Sequence, residues 1–391
     1  MDGNDIRRVA LSWLPHMDES DPLPGSPGRR RIGVRELARL AHVSIGTVDR
    51  ALNGRKEVSA KTRERVLRLA RQHGYKPDAN ARALSLGRSH MAVAVCIPRE
   101  IHFFYDQLRD GILDEAAQYR HLGLDIRYEP VTELGAAEMV GVVARLIKTG
   151  IQALILTPGN PVQLAPLIDE AERDRNIRVV CVASDDSLSN RSTAISVEPR
   201  MNGMLAAELI AGFVPPASRV AVFTGSLSTE DHAKKVGGFY EVFPKDCPGG
   251  KVVDVVEGHE NEAKTLEICA ALLRKEPKLA GLYVSTVNCL PVCRALQEAG
   301  RAGKVRVVAT DLFAEAVPYF RNHTISASIY QRPYRQGQLA VRLIVDHLIA
   351  GAELPTVRYL NPAIVMRSNL KLFREVARLR PERESGTFRG A

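Results

Sequence analysis

At 391 residues, with 45% hydrophobic and 25% charged positions, the chain has the balance of a folded protein of two or three domains, which excludes a wholly disordered one. Its 54 Lys and Arg against 45 Asp and Glu give a formal charge of +9, so an acidic partner such as nucleic acid is worth seeking. The excess is local: residues 29–88 hold 16 Lys and Arg against five Asp and Glu, and the rest of the chain is slightly acidic.

No apolar run reaches the roughly 18 to 20 residues of a membrane span. Met91 to Ile97 is short, and Val341 to Ile349 is interrupted by Arg342 and Asp346. Met1 to Ser20 mixes Asp2, Asp5, Asp18 and Glu19 with only a brief cluster from Val9 to Leu14, which is not the pattern of an export signal. Of the six cysteines, Cys96 and Cys181 lie in apolar runs as small buried thiols, and the one close pair, Cys289 and Cys293, has no nearby His to complete a zinc site. The expectation is a reducing cytoplasm, no metal and no cofactor.

In chain order, residues 1–31 end in a Pro- and Gly-rich basic stretch and read as a flexible leader. Residues 32–77 form a compact basic helical module. Val34, Leu37, Ala38 and Ala41 recur at helix spacing, His42 to Ser44 make a tight turn, and a second helix opens at Ile45 with Val48 and Leu52 inward. Ser44 is its N-cap, and Asn53-Gly54 its stop. A third helix starts after Ser59, buries Val66, Leu69 and Ala70, and ends by Gly74 and Pro77. Three short helices, two of them three residues apart, with this much positive charge describe a helix-turn-helix reader, the plainer alternative being a three-helix bundle with a solvated basic surface. The exposed start of the second helix faces the duplex: Ser44 and nearby N–H groups suit a phosphate, Arg50 a guanine, and Ile45 a thymine methyl.

From residue 90 to about 372, nine β-branched runs alternate with helical stretches such as Phe104 to Arg120, Met201 to Phe213 and Ala263 to Arg274. The runs are Ala92–Pro98, Leu124–Val131, Ala153–Pro158, Val179–Ser184, Val220–Ser226, Val252–Gly258, Gly281–Thr286, Val305–Asp311 and Ile325–Gln331. Repeated βαβ units predict an α/β fold with doubly wound parallel sheets, and the length exceeds one comfortable core, so two similar lobes are expected. Residues 373–391 are a polar, Arg-rich tail.

The wording from Val34 to Ser89, "VRELARLAHVSIGTVDRALNGRKEVSAKTRERVLRLARQHGYKPDANARALSLGRS", resembles the DNA-binding head of the lactose-repressor (LacI/GalR) family. The resemblance implies a homodimer, alone or paired into a tetramer, that reads two half-sites of a roughly palindromic operator. It makes residues 78–89 a hinge that becomes helical on the operator, a span too short to be stable alone, with Leu84 entering the minor groove and Ala81 allowing close helix approach. Read as linker, Leu84 would instead pack on the effector domain. The candidate DNA contacts are thus Ser44, Ile45, Gly46, Thr47, Arg50, Asn53, Ala81 and Leu84. Three positions depart from the family: Asp49 replaces a Ser, Gly46 offers no side chain at a base-reading position, and Gly33 replaces a hydroxyl cap.

The remainder resembles the family's sugar-binding core, similar to ribose-type periplasmic binding proteins. The likeness implies lobe 1 at about 90–197 and 332–358, and lobe 2 at about 198–331 and 359–372. Independently of that likeness, ligands of open parallel sheets sit beyond the carboxyl ends of the strands, which nominates Phe104 and Tyr105, Ser184 to Asp186, His232, Ser285, Thr286, Asn288, Asp311 and Gln331. The resemblance points to Asp311 in "VVATD", Gln331 in "ASIYQRPYRQG", the Phe104-Tyr105 pair, Asp185 and His232, with Arg191 at the edge. The full set is Phe104, Tyr105, Asp185, His232, Asn288, Asp311 and Gln331, although Asp311 or Asp185 could simply cap a helix and Phe104 could be core. Ala233 stands where relatives commonly carry Arg, and the acidic-to-neutral set favours a small neutral sugar or polyol over a phosphorylated sugar.

These readings converge on a ligand-responsive, sequence-specific transcription regulator, a repressor relieved by ligand. A transport or chemosensing sugar-binding protein would share the core but lack the head. An enzyme would need a reactive motif, and Gly225-Ser226-Leu227-Ser228 lacks the final glycine of a nucleophile elbow.

Overall fold

A computed structural model of the protein describes residues 33–52, 58–73, 91–99, 101–132 and 137–373. The leader, Asn53, the hinge with Ala81 and Leu84, and the tail beyond Phe373 lie outside the described residues. Contacts divide the chain into a head, within 1–81, and a core, within 82–391.

The head has three helices: α1 (Val34–Leu40), α2 (Ile45–Leu52) and α3 (Ala60–Gln72). Their apolar stripes meet in one cluster of Leu37, Ala38, Ala41, Val48, Ala51, Val58, Val66 and Ala70. α1 ends in a reciprocal backbone cap: His42 N–H donates to Arg39 at 3.1 Å and Val43 N–H to Ala38 at 3.1 Å. This cap puts His42 at φ +50°, a left-handed position usually taken by Gly. Both following helices start with the same device. Thr47 N–H donates to Ser44 Oγ at 3.1 Å, and Thr62 N–H donates to Ser59 Oγ at 3.2 Å. As expected from its missing hydroxyl, Gly33 provides no side-chain cap.

The core holds two six-stranded sheets of matching order. The first contains β1 (Met91–Cys96), β2 (Leu124–Tyr128), β3 (Ala153–Leu156), β4 (Arg178–Val182), β5 (Thr193–Ser196) and β11 (Val357–Tyr359), in the order β11-β5-β4-β3-β1-β2. The second contains β6 (Arg219–Thr224), β7 (Lys251–Glu257), β8 (Leu279–Val284), β9 (Arg306–Thr310), β10 (Ile325–Tyr330) and β12 (Ala363–Val365), in the order β12-β10-β9-β8-β6-β7. All pairings are parallel except β10 with β12. Central strands such as β1, β3 and β6 are buried on both faces, which explains their unbroken apolar runs.

The chain leaves the first sheet after β5, returns after β10, and crosses again between β11 and β12. The sequence reading missed β5, β11 and β12, because three- and four-residue strands carry too little alternation to register. The second expected strand also ends at Tyr128 rather than Val131, which forms only an isolated bridge with Pro98.

Each lobe is braced by one tight helix pair. In the first, α4 (His102–Ala117) crosses α12 (Pro333–Ala350); in the second, α7 (Pro199–Phe213) crosses α8 (Glu230–Asp246). A Cβ on Gly111 would strike the Tyr334 carbonyl and one on Gly337 the Leu108 carbonyl, while Gly203 and Gly238 meet the Lys235 and Arg200 carbonyls in the same way. Both crossings are therefore backbone-on-backbone contacts that only glycine permits. Glu115, fully buried, locks the first by accepting from Arg342 Nε at 2.7 Å and Nη2 at 3.2 Å. All six cysteines are buried and free, and among the described residues no helix is long and apolar enough to cross a membrane.

Candidate functional site

The strand order reverses between β1 and β3 in the first lobe and between β6 and β8 in the second, so each sheet leaves a crevice beyond its carboxyl ends. The two crevices form one cleft of about 520 Å³, mouth included. The first lobe contributes Phe104 and Tyr105 from α4 and Ala183 and Ser184 after β4; the second contributes Asp231, His232 and Lys235 from α8, Glu260 after β7, Thr286 after β8, Asp311 after β9 and Gln331 after β10.

Asp311 and Gln331 form the most ordered part. Gln331 donates its backbone N–H to Asp311 Oδ1 at 2.9 Å and its side-chain Nε2 to Oδ2 at 2.7 Å. Asn202 Nδ2 in turn donates to Gln331 Oε1 at 3.1 Å, which fixes the amide's orientation. Asp311 stands at φ +67°, a conformation that aims the carboxylate across the strand ends. Burial pushes its carboxyl up to about 6 against the opposing hydrogen bonds from Gln331.

Phe104 and Tyr105 meet edge to face at 5.1 Å between ring centres, and both are buried. Burial drives the His232 ring down to about 4, so it is neutral at pH 7. Its Nδ1 faces the Ser226 backbone, 3.1 Å from the N–H and 3.2 Å from the carbonyl oxygen, which holds the ring in place.

Two expected residues are elsewhere. Asp185 does not line the cleft: Arg191 grips it with Nε at 2.5 Å and Nη2 at 2.6 Å, so both oxygens are already engaged. Asn288 is also absent from the lining and donates Nδ2 to Thr265 Oγ1 at 3.3 Å. Both lie off the lining for one reason, that following a strand fixes an end of the sheet but not the direction of a side chain.

The sequence reading overlooked three charged lining groups. Lys235 Nζ lies 2.7 Å from Asp231 Oδ2, with side chains 3% and 9% exposed. Their i, i+4 spacing was visible in "EDHAKK", but nothing marked it as buried. Glu260, at φ +55°, is pushed up to about 7 by burial, opposed by Lys235 and Thr286. It and His232 close on Gly225, where any Cβ would strike both.

In the head, Ile45 is 46% exposed and Gly46 is open. Arg50 Nε donates to the Gly46 carbonyl at 3.1 Å. Ser44 Oγ accepts the Thr47 N–H at 3.1 Å and shares a hydrogen bond with Thr47 Oγ1 at 2.9 Å. Ser44, Ile45, Gly46, Thr47 and Arg50 thus share the first turns of α2.

A three-helix basic head ahead of a two-lobed cleft defines a class, binding proteins joined to a nucleic-acid reader. Comparison with known proteins gives the same division. Residues 93–353 match the family described as periplasmic binding protein domain, and residues 34–78 match bacterial regulatory proteins, lacI family. The chain belongs to the periplasmic-binding-protein-domain family, and its head carries a domain that matches the lacI family of regulatory proteins. Neither is an enzyme family.

Catabolite control protein A of Priestia megaterium is 24% identical over 327 residues, 81% of this chain and 92% of that protein. The D-ribose/D-allose-binding protein of Pseudomonas aeruginosa is 25% identical over 260 residues, 63% of this chain and 79% of that one. An ABC-transporter solute-binding protein from Burkholderia graminis C4D1M, solved with D-arabinose, superposes with a TM-score of 0.67 at 23% identity, over 72% of this chain and 96% of that chain; this likeness shows the fold alone. The protein is a ligand-responsive, DNA-binding transcription regulator.

Proposed function

We propose that this regulator is a cytoplasmic homodimeric repressor of a roughly palindromic operator, relieved by a small polyhydroxylated compound that carries no phosphate. Ser44, Ile45, Gly46, Thr47 and Arg50 contact the duplex, together with Asn53, Ala81 and Leu84. Phe104, Tyr105, His232, Asp311 and Gln331 contact the ligand.

The observation that carries this reading is the convergence of five loops on one cleft, where Asp311 and Gln331 hold each other in a fixed orientation. Carboxylate and amide groups match vicinal hydroxyls, and the edge-to-face aromatic pair suits the C–H face of a ring. The relative named for D-ribose and D-allose supports the same ligand class.

Control follows from linkage. A ligand that binds one arrangement of the lobes better than another shifts operator affinity by that difference, about 1.4 kcal/mol per factor of ten.

The test is recovery of an operator from random duplexes at two salt concentrations, followed by a screen of pentoses, hexoses, polyols and their amino derivatives for release of the complex. Selection of palindromic sites and release by one compound class is the expected result. No preference over scrambled duplex, with or without these compounds, overturns the proposal.

A further inference from the structure

The cleft holds more negative charge than an uncharged ligand needs. Its lining has three carboxylates, Asp231, Glu260 and Asp311, against one cationic side chain, Lys235. Lys235 is committed to Asp231 Oδ2 at 2.7 Å. Asp311 is held by neutral N–H donors from Gln331.

Two buried carboxylate oxygens, Asp231 Oδ1 and Glu260 Oε2, have no hydrogen-bond partner among the described residues. Asp231, Glu260 and Asp311 line the same cleft as Tyr105 and Lys235. One lysine is thus shared among three acids in a dry setting, where an uncompensated charge is costly. A ligand hydroxyl donates one hydrogen bond and leaves the charge in place. An ammonium donates three and cancels one unit of it.

We propose that the cleft selects a polyhydroxylated compound bearing a protonated primary amine, an amino sugar or amino alditol, with the ammonium received by Glu260 and the open oxygen of Asp231. Asp311, Gln331 and Thr286 take the hydroxyls. This rests on the ligand-responsive reading above and departs from the sequence-based expectation of a neutral ligand. Glu260 is also well placed to discriminate, because Gly225 lets it pack beside His232 without a Cβ in between.

The test uses the full chain and matched pairs: 2-amino-2-deoxyhexoses with their parent hexoses, and 1-amino-1-deoxyalditols with their alditols, titrated by calorimetry. In the pair that binds, the amine is expected to bind at least about tenfold more tightly. Glu260→Gln should reduce that preference to about threefold or less. Wild-type protein should release protons on binding the amino alditol at about pH 6.5, where the amine is already protonated, read from heats in two buffers of different ionisation enthalpy. The proton count needs no variant and stands even if Glu260→Gln fails to fold. A neutral member binding as tightly as its amine, or an amine preference without proton release, overturns the inference and leaves the regulator reading intact. Binding of no member of any pair overturns both.

Discussion

Gln331 donates both its backbone and its side-chain N–H to the carboxylate of Asp311, at 2.9 and 2.7 Å, so the exit of β10 orients the cleft group that follows β9. Replacing the acid by an amide keeps the left-handed backbone, which Asn tolerates, but sets an NH₂ against one of the two donors. Asp311→Asn should weaken ligand binding by at least about tenfold, in line with about 1.5–3 kcal/mol for a hydrogen bond to a charged group. Operator affinity without ligand should stay within about twofold. Fluorescence anisotropy on a labelled operator measures both, and an unchanged ligand response would remove Asp311 from the site.

Adjacent glycines in α8 should respond in opposite directions. A Cβ on Gly237 meets nothing within 4 Å, whereas one on Gly238 strikes the Arg200 carbonyl of α7. Gly237→Ala should stabilise the core by about 0.5–1 kcal/mol, the usual gain for removing a mid-helix glycine. Gly238→Ala should cost at least about 1–3 kcal/mol, because a rigid backbone must move. Urea unfolding of the two single variants decides it, and equal midpoints would show that the crossing is not close-packed.

The recognition helix carries a similar vacancy for a side chain. A Cβ on Gly46 would have Arg50 Nη2 at 3.8 Å and Ser44 Oγ at 3.9 Å as its nearest neighbours, both ordinary contacts. Gly46→Ala should strengthen α2 by about 1 kcal/mol, read as slower amide exchange across the head. If Gly46 lies against a base edge, the same substitution will alter operator preference at that one position while non-specific affinity stays constant.

The ligand-free protein should lose stability as pH rises from about 4.5 through 7 on account of Glu260. Its folded-state value of about 7 lies above the usual 4.5, so its contribution is complete below 4.5 and is lost as pH rises through 7. His232 acts the other way, with a folded value near 4 against 6.5, but its contribution is already constant above 6.5. Asp311 shares the direction of Glu260 and is present in both proteins compared. The melting temperature of Glu260→Gln, measured against wild type, should therefore rise from pH 6 to pH 8. A constant difference would mean that Glu260 is solvated.

The head was legible residue by residue because its determinants are local. Helix spacing, the Ser44 and Ser59 caps and the three-residue turn involve neighbours within four positions. Repeated βαβ runs likewise gave the parallel sheets, and the position of Asp311 and Gln331 just beyond strand ends nominated them as cleft residues. Short strands β5, β11 and β12 stayed invisible because three or four residues carry too little pattern, and their place comes from the strands they pair with.

Which strand-end groups actually face the cleft was decided only by the tertiary structure. Asp185 is claimed by Arg191 six residues away, Asn288 by Thr265, and Lys235 is held at the cleft by Asp231. The sequence alone determines which side chains can reach a strand end. Charge partners and backbone approach across long separations determine which of them remain there with an oxygen to offer, as Asp231 and Glu260 do.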